Sequence, residues 1–284
     1  MSTGAESRIF APGILAGQAA LITGGGTGLG RETALEFARC GASVAIAGRR
    51  EDVLDEACAL IGDEVPGAVV RAVAGDIRDP DAAGALVGAA LAAAGRLDVV
   101  VNNAGGQFFS PAELIATRGW EAVWRLNVEG MLNVSRAARE QAFAGRGGKI
   151  INVTLSPHHG MPGMAHSGAA RAAVEALTRR LAREWAPDAI SLFAVAAGHF
   201  DTEVMVKYPE IVRAGMSRAV PLQRLGRPEE HAWLVTYLAT EAANALNGST
   251  VTLDGARDNW FGPWPPEGLH DEGEVPVEER RARR

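Results

Sequence analysis

The chain is poor in two side chains that redox and proton chemistry often use: of its 284 residues, two are cysteine and two are tyrosine. Cys40 and Cys58 each fall inside a helix-like stretch, so buried free thiols are expected rather than a disulfide or catalytic pair. That usage suits a reducing, cytoplasmic setting. No apolar run approaches the ~18 residues of a membrane span, and the opening "MSTGAESRIFAPG" has no apolar signal core. A formal charge of −6 and a pI near 5.6, with Arg and Lys scattered until the final "RRARR", give no basic face for nucleic acid. Any anion site must be local. His158, His159 and His166 have no cysteine or carboxylate beside them at metal-ligand spacing, so no metal is expected.

What is present is rhythm. Short apolar runs recur at 19–23, 43–48, 69–75, 97–105, 149–154, 190–198 and 249–255, separated by helix-like stretches. Continuous rather than alternating apolar runs mean strands buried on both faces. The expectation is a doubly wound α/β domain with seven parallel strands and helices on both faces. It should occupy residues 15–256, after an N-terminal extension of residues 1–14. Residues 199–226 break the rhythm beyond a strand's carboxyl end, where such folds place a lid over the ligand cleft. The tail, 257–284, carries Trp260, Phe261 and Trp264, which would be costly to leave in water.

After the first strand, "TGGGTGLGRETA" sets Gly24, Gly28 and Gly30 at a strand-to-helix turn. Glycine permits the tight turn and lets backbone N–H groups at the helix N-terminus approach a pyrophosphate, which the helix dipole favours. A Rossmann-type dinucleotide site follows. The second strand ends in "AGRR", so Arg49 and Arg50 stand where a carboxylate would select NAD. Guanidinium forks suit a 2′-phosphate, which points to NADP(H). Asp76, past the third strand, is placed to meet the adenine or to cap a helix. "NNAG", with Asn103, Ala104 and Gly105, ends the fourth strand on the nicotinamide side.

Across about residues 15–256 the chain resembles the short-chain dehydrogenase/reductase family, through Gly24–Gly30, "NNAG", "LNVEG" with Asn127, and "TLDGA". The resemblance implies that Thr27, Leu29, Ile77, Gly198 and Thr202 also touch the cofactor. It also implies a catalytic set of Asn, Ser, Tyr and Lys, the tyrosine giving the proton. Asn127 matches the first. "SGAARAAVEALT" puts Ser167 on the tyrosine and Arg171 on the lysine, and Leu155 or Ser156 falls on the serine. The chain's tyrosines lie elsewhere: Tyr208 in the lid segment and Tyr237 in a late helix. Ala197 stands before Gly198 where relatives usually have proline.

"VNNAGGQFFSPAE", "GWEAV", "HSGAARA" and "LAREWA" resemble, more narrowly, the trans-2-enoyl-CoA reductases and 2,4-dienoyl-CoA reductases. Those relatives also depart from the tyrosine pattern. This similarity implies NADPH-dependent reduction of a conjugated C=C in an acyl-CoA thioester. The chemistry tolerates the loss. Ketone reduction needs an acid on oxygen during hydride transfer, whereas enoyl-thioester reduction leaves an enolate that needs hydrogen-bond donors and takes its proton afterwards. Arg171 would position cofactor and field but cannot act as the acid. Candidate donors are Ser167, Ser156 and Thr154, with His166 as a relay member. Gln107, Phe108 and Tyr208 are expected beside the acyl chain. Two alternatives stay open: a carbonyl/alcohol oxidoreductase on a hydrophobic substrate, and a catalytically weak dinucleotide-binding protein. The resemblance also implies a homo-oligomer, expected as a tetramer through the alanine-rich helix after Ser167.

Overall fold

The computed structural model describes residues 4–156, 158, 160–207 and 215–259. Tyr208, His159 and the aromatic tail with Trp260, Phe261 and Trp264 lie outside the described residues. Seven parallel strands form one sheet: β1 (Ala19–Thr23), β2 (Ser43–Gly48), β3 (Val70–Ala74), β4 (Val99–Asn102), β5 (Gly148–Leu155), β6 (Ile190–Ala197) and β7 (Thr250–Leu253). Their order is β3-β2-β1-β4-β5-β6-β7. This is the doubly wound arrangement expected from the unbroken apolar runs. The chain reverses its direction of travel across the sheet between β1 and β4, and a crevice opens there at the strands' carboxyl ends.

The helices are α1 (Gly28–Arg39), α2 (Glu51–Glu64), α3 (Pro80–Ala94), α4 (Thr117–Trp124), α5 (Gly130–Ala138), α6 (Ala165–Glu184) and α7 (Pro228–Ala239). Successive strand side chains point to opposite faces, and β1 divides its residues accordingly. Ala20 and Ile22 join Phe37 of α1, Leu54 and Ile61 of α2 and Leu238 of α7 in one apolar layer. Leu21 enters the other, with Leu86 of α3, Val134 of α5 and Leu181 of α6. Two cores therefore sandwich one sheet, and each fixes the strand register independently.

The fourth strand is shorter than its apolar run. Beyond Asn102 the chain leaves the sheet, because the N–H groups of Asn103 and Ala104 turn to the Thr23 hydroxyl at 3.1 and 3.0 Å. Residues 4–14 lie along α1 rather than apart from it: Ser7 Oγ donates to Glu36 at 2.5 Å, and Arg39 Nε reaches the Gly4 carbonyl at 2.8 Å. The 199–226 insertion is closed at its base, where Asp201 N donates to Gly226 O at 2.9 Å and Gly226 N to His199 O at 2.8 Å. Among the described residues no helix is long and apolar enough to cross a membrane.

Candidate active site

A cavity of about 790 Å³ opens at the carboxyl ends of the central strands. Gly24, Thr27, Gly28, Leu29, Arg49, Arg50, Asp76, Ile77, Asn103, Ala104, Gly105, Gln107, Phe108, Arg171, Gly198 and Thr202 all line it. Gly30 does not line it. Its bare α-carbon packs inward, where an added Cβ would come within 2.3 Å of the Gly24 carbonyl oxygen. The third glycine thus lets helix α1 sit close behind the turn. Gly24 itself has φ +65°, a conformation that disfavours any side chain. Thr27 stands at the N-cap of α1 without spending its hydroxyl on a cap, so the N-terminus of α1 opens on the cavity without a cap from its own segment.

"NNAG" is strapped to this turn. Asn103 Nδ2 donates to the carbonyls of Thr23 and Gly24 at 3.0 and 3.2 Å. The side chain of Asn103 is thereby spent on holding the loop, which leaves the backbone to face the cavity. Arg49 and Arg50 are exposed at the rim. Asp76 caps nothing: Asp79 caps α3 by accepting from Ala82 N, while Arg78 grips Asp76 through its backbone N at 3.0 Å and its Nε at 2.9 Å. The hydrogen bonds from Arg78 hold the Asp76 carboxyl down at about 2.

One occupant of the phosphate turn comes from the insertion. Glu203 Oε1 accepts from Gly28 N at 2.9 Å and pairs with Arg31 at 3.1 Å. Burial favours its neutral form, but the Gly28 and Glu203 N–H groups and the Arg31 charge prevail and hold its pKa below the usual carboxylate range. A carboxylate therefore sits at the anion-favouring end of α1. Sequence reasoning missed it, since the two partners are 175 residues apart.

The far end of the cavity is built by α6, β5 and the turn of π-helix Arg125–Glu129 between α4 and α5. Asn127 lies in that turn. Its Nδ2 donates to Val123 O at 2.7 Å and Gly106 O at 2.9 Å, and its Oδ1 accepts from Gly106 N at 3.2 Å. The amide thus staples the β4 loop to the bent helix. Arg171 is half-buried at the cavity wall; its Nη1 donates to Val153 O at 2.8 Å, and its Nε has no partner among the described residues. Burial lowers its pKa to about 10, so it remains a cation at neutral pH.

The hydroxyls and histidines divide. Ser167 Oγ donates to Gln107 Oε1 at 3.2 Å, placing it directly behind a residue of the cavity wall. Ser156 does not face the cavity. It is wholly buried and donates to Asp254, at the end of β7, because the strand turns its side chain toward that neighbour. His166 also misses the cavity wall: its ring is buried beside Phe108, 4.3 Å between centroids, and Trp120, at 6.3 Å. Burial lowers its pKa and favours the neutral ring. Thr154 does line the cavity. Leu155, the other candidate at the serine position, also lines it.

A side chamber of about 130 Å³ shares Leu29, Gln107, Phe109, Leu155, Gly198 and Thr202 with the main cavity. Met161, Met164, Met205 and Met216 line it, four of the chain's six methionines. His199 lines it too; burial and then Arg257 lower its pKa to about 4, so the ring is neutral. No sequence reading singled out His199, although it directly follows Gly198.

Comparisons with known proteins agree with this geometry. Residues 24–256 match the family model described as enoyl-(acyl carrier protein) reductase. The peroxisomal 2,4-dienoyl-CoA reductase [(3E)-enoyl-CoA-producing] of Pongo abelii is 36% identical, over 88% of this chain and 87% of its own. The probable 2,4-dienoyl-CoA reductase [(2E)-enoyl-CoA-producing] of Bacillus subtilis (strain 168) is 35% identical, over 87% and 98%. Among solved structures, the citronellol catabolism dehydrogenase of Pseudomonas aeruginosa PAO1 is 38% identical with a TM-score of 0.79, over 88% of this chain and 98% of that one. With its glycine turn, parallel sheet and long match to these oxidoreductases, the chain belongs to the short-chain dehydrogenase/reductase family, whose dienoyl-CoA reductases use a nicotinamide dinucleotide.

Proposed function

We propose that this protein reduces a conjugated double bond of a fatty acyl-CoA thioester with NADPH. The observation that carries the reading is the replacement at α6: the cation Arg171 on the cavity wall, and Ser167 holding Gln107 from behind that wall, where an amine and a phenol would serve a ketone. A fixed cation with an unspent donor stabilises a developing oxyanion without itself titrating. The dinucleotide fits on the chain's own features. The Gly24–Gly28 turn leads into the N-terminus of α1, where the Gly28 N–H already binds a carboxylate, and Gly105 leaves room for the Arg171 guanidinium, whose Nε is an unspent donor.

When bound, the dinucleotide supplies a hydride. Thr27, Gly28 and Leu29 would take its pyrophosphate, Arg49 and Arg50 a 2′-phosphate, and Asp76 and Ile77 the adenine side. Asn103, Ala104, Gly105, Arg171, Gly198 and Thr202 would surround the nicotinamide side. On the substrate, hydride addition at the δ-carbon of a 2,4-dienoyl thioester leaves a dienolate with charge on the thioester oxygen. Protonation at the α-carbon gives a 3-enoyl product, the outcome named for the Pongo abelii relative. Gln107, Phe108 and the methionine-lined chamber would hold the hydrocarbon chain, since unbranched thioethers adapt to varied apolar shapes. This role for 199–226 makes it the lid of the site.

The deciding experiment follows loss of NADPH absorbance with 2,4-dienoyl-CoA, 2-enoyl-CoA, and an isoprenoid aldehyde or ketone. The last arm is included because a similar structure is named for citronellol catabolism. Turnover of a thioester supports the reading. Turnover of only the carbonyl compounds, or of nothing, refutes it.

A further inference from the structure

Thr154 turns its hydroxyl away from the sheet toward α6, where Oγ1 donates to Glu175 Oε1 at 3.0 Å. Glu175 stands one turn beyond Arg171 on that helix and is only 7% exposed. The same Oε1 meets His158 Nε2 at 3.0 Å. The other ring nitrogen of His158, Nδ1, pairs with the carboxylate of Asp258, from the short turn Arg257–Asn259. The His158 side chain is 35% exposed. A single line of hydrogen bonds thus runs from a residue of the cavity wall to water.

Such a line is costly as mere packing. Enclosing a carboxylate costs several kcal/mol unless it is paired, and an apolar residue would fill the same space between β5 and α6. The charged groups facing His158 are Glu175 from α6 and Asp258 from the turn after β7. Behind Asp258 stands Asp254, which accepts from Asp258 N at 2.8 Å and from Ser156. Arg257 reaches instead to Ala219 O at 2.8 Å, and Arg171 to Val153 O. Burial works against a charged His158 ring, but the Asp258 hydrogen bond and the charges of Glu175 and Asp258 outweigh it and raise its pKa. The exposed end of the line is therefore set to favour its protonated form.

We propose that Thr154, Glu175 and His158 conduct a proton from solvent to the substrate's α-carbon, in the role the missing tyrosine leaves open. This rests on the thioester reading above. After hydride addition the dienolate carries one negative charge. In the structure Thr154 donates to Glu175 Oε1; once His158 has protonated that oxygen the bond reverses, and Thr154, its hydroxyl proton freed, gives it to the α-carbon, forming the second new C–H bond, while its own oxygen takes the proton from Glu175 Oε1. Glu175 takes that proton from His158 Nε2, and His158 is recharged from water at its exposed edge. One proton enters from solvent, one C–H bond forms, and no electron moves along the line. Thr154 is the catalytic residue; Glu175 and His158 act through it.

The test uses the full chain with His158→Gln, Glu175→Gln, Thr154→Ser and Thr154→Val. NMR titration of the wild-type imidazoles, independent of turnover, should give His158 a midpoint above the ordinary ~6.5, and Glu175→Gln should lower it. With 2,4-dienoyl-CoA, His158→Gln and Glu175→Gln should lose roughly tenfold or more in kcat with KM little changed, each turn of general acid catalysis removed being worth about 10²–10⁴ at most. The limiting ionisation should vanish from the pH profile of His158→Gln, added imidazole should restore part of its rate, and Thr154→Ser should retain what Thr154→Val loses. His158→Gln lies at an exposed loop and reports even if the buried Glu175 variant fails to fold. Active wild type with unchanged kcat and pH profile in His158→Gln overturns the conduit alone. Wild type inactive on every thioester overturns the thioester reading, and the conduit with it.

Discussion

Nη2 of Arg171 lies so close to Gly105 that a Cβ on that glycine would stand 2.4 Å from it and 2.8 Å from Asn127 Oδ1. The glycine of "NNAG" and the arginine of α6 are thus fitted to each other. Gly105→Ala should expel the guanidinium from its place, since the Asn127 amide on the other side is fixed by three hydrogen bonds. A displacement of this kind, on the order of 1 Å, costs about 10²-fold in rate. We expect kcat to fall by that order while the thermal midpoint changes little. Full activity in Gly105→Ala would mean that the arginine's position is immaterial.

Glu203 occupies the N-terminus of α1, the place a pyrophosphate would take. Cofactor binding at that place would displace it, and with it the turn Glu203–Lys207. A carboxylate at a helix N-terminus contributes about 0.3–1 kcal/mol, reduced here by its exposure. Glu203→Ala should therefore tighten NADPH binding by roughly twofold to fivefold, read by titrating cofactor fluorescence. A weaker or unaltered Kd would show that the carboxylate and the phosphate do not compete.

Arg49 and Arg50 reach the cavity rim, Arg49 within the field of the Asp76 carboxylate. If they hold a 2′-phosphate, replacing both with alanine removes charge-assisted hydrogen bonds worth about 1.5–3 kcal/mol each. NADPH affinity should fall at least tenfold by that measure, and NADH affinity by much less. Equal losses, or none, would withdraw the preference for NADPH.

The sheet was legible because each strand is a continuous apolar run between helices of changed period, and the glycine turn because its residues are contiguous. The cavity's phosphate half followed directly. The reacting half was less legible, and the reason is register and distance. Ser156 and Thr154 are two residues apart, yet Ser156 ends against Asp254, 98 residues away, while Thr154 reaches the wall. His166 looked like a relay from its neighbour in sequence, but the helix turns it onto Phe108. Glu203, Glu175 and Asp258 went unnoticed because their partners meet only in three dimensions. An acidic residue on a helix carries no local mark that it will be enclosed.

His231 offers a measurement of that kind on stability. It lies wholly buried in α7, with Nδ1 3.4 Å from the Thr33 hydroxyl of α1, its ring edge-on to Phe200, and Nε2 without a partner among the described residues. Burial lowers its pKa to about 4. The unfolded chain, with an ordinary pKa near 6.5, therefore binds a proton that the folded state refuses between those two values. The sign follows: the neutral ring costs nothing above about pH 6.5, and stability falls as pH drops from there toward 4, by up to about 1.4 kcal/mol per pH unit. His199, lowered to about 4 as well, adds a slope of the same sign. His231→Leu should remove about one proton's share of the slope, measured by urea unfolding at several pH values. Its stability at pH 7 need not rise, since the Thr33 contact is lost. A slope identical to that of the wild type would place a charged His231 in the folded protein and contradict its enclosure between α1 and α7.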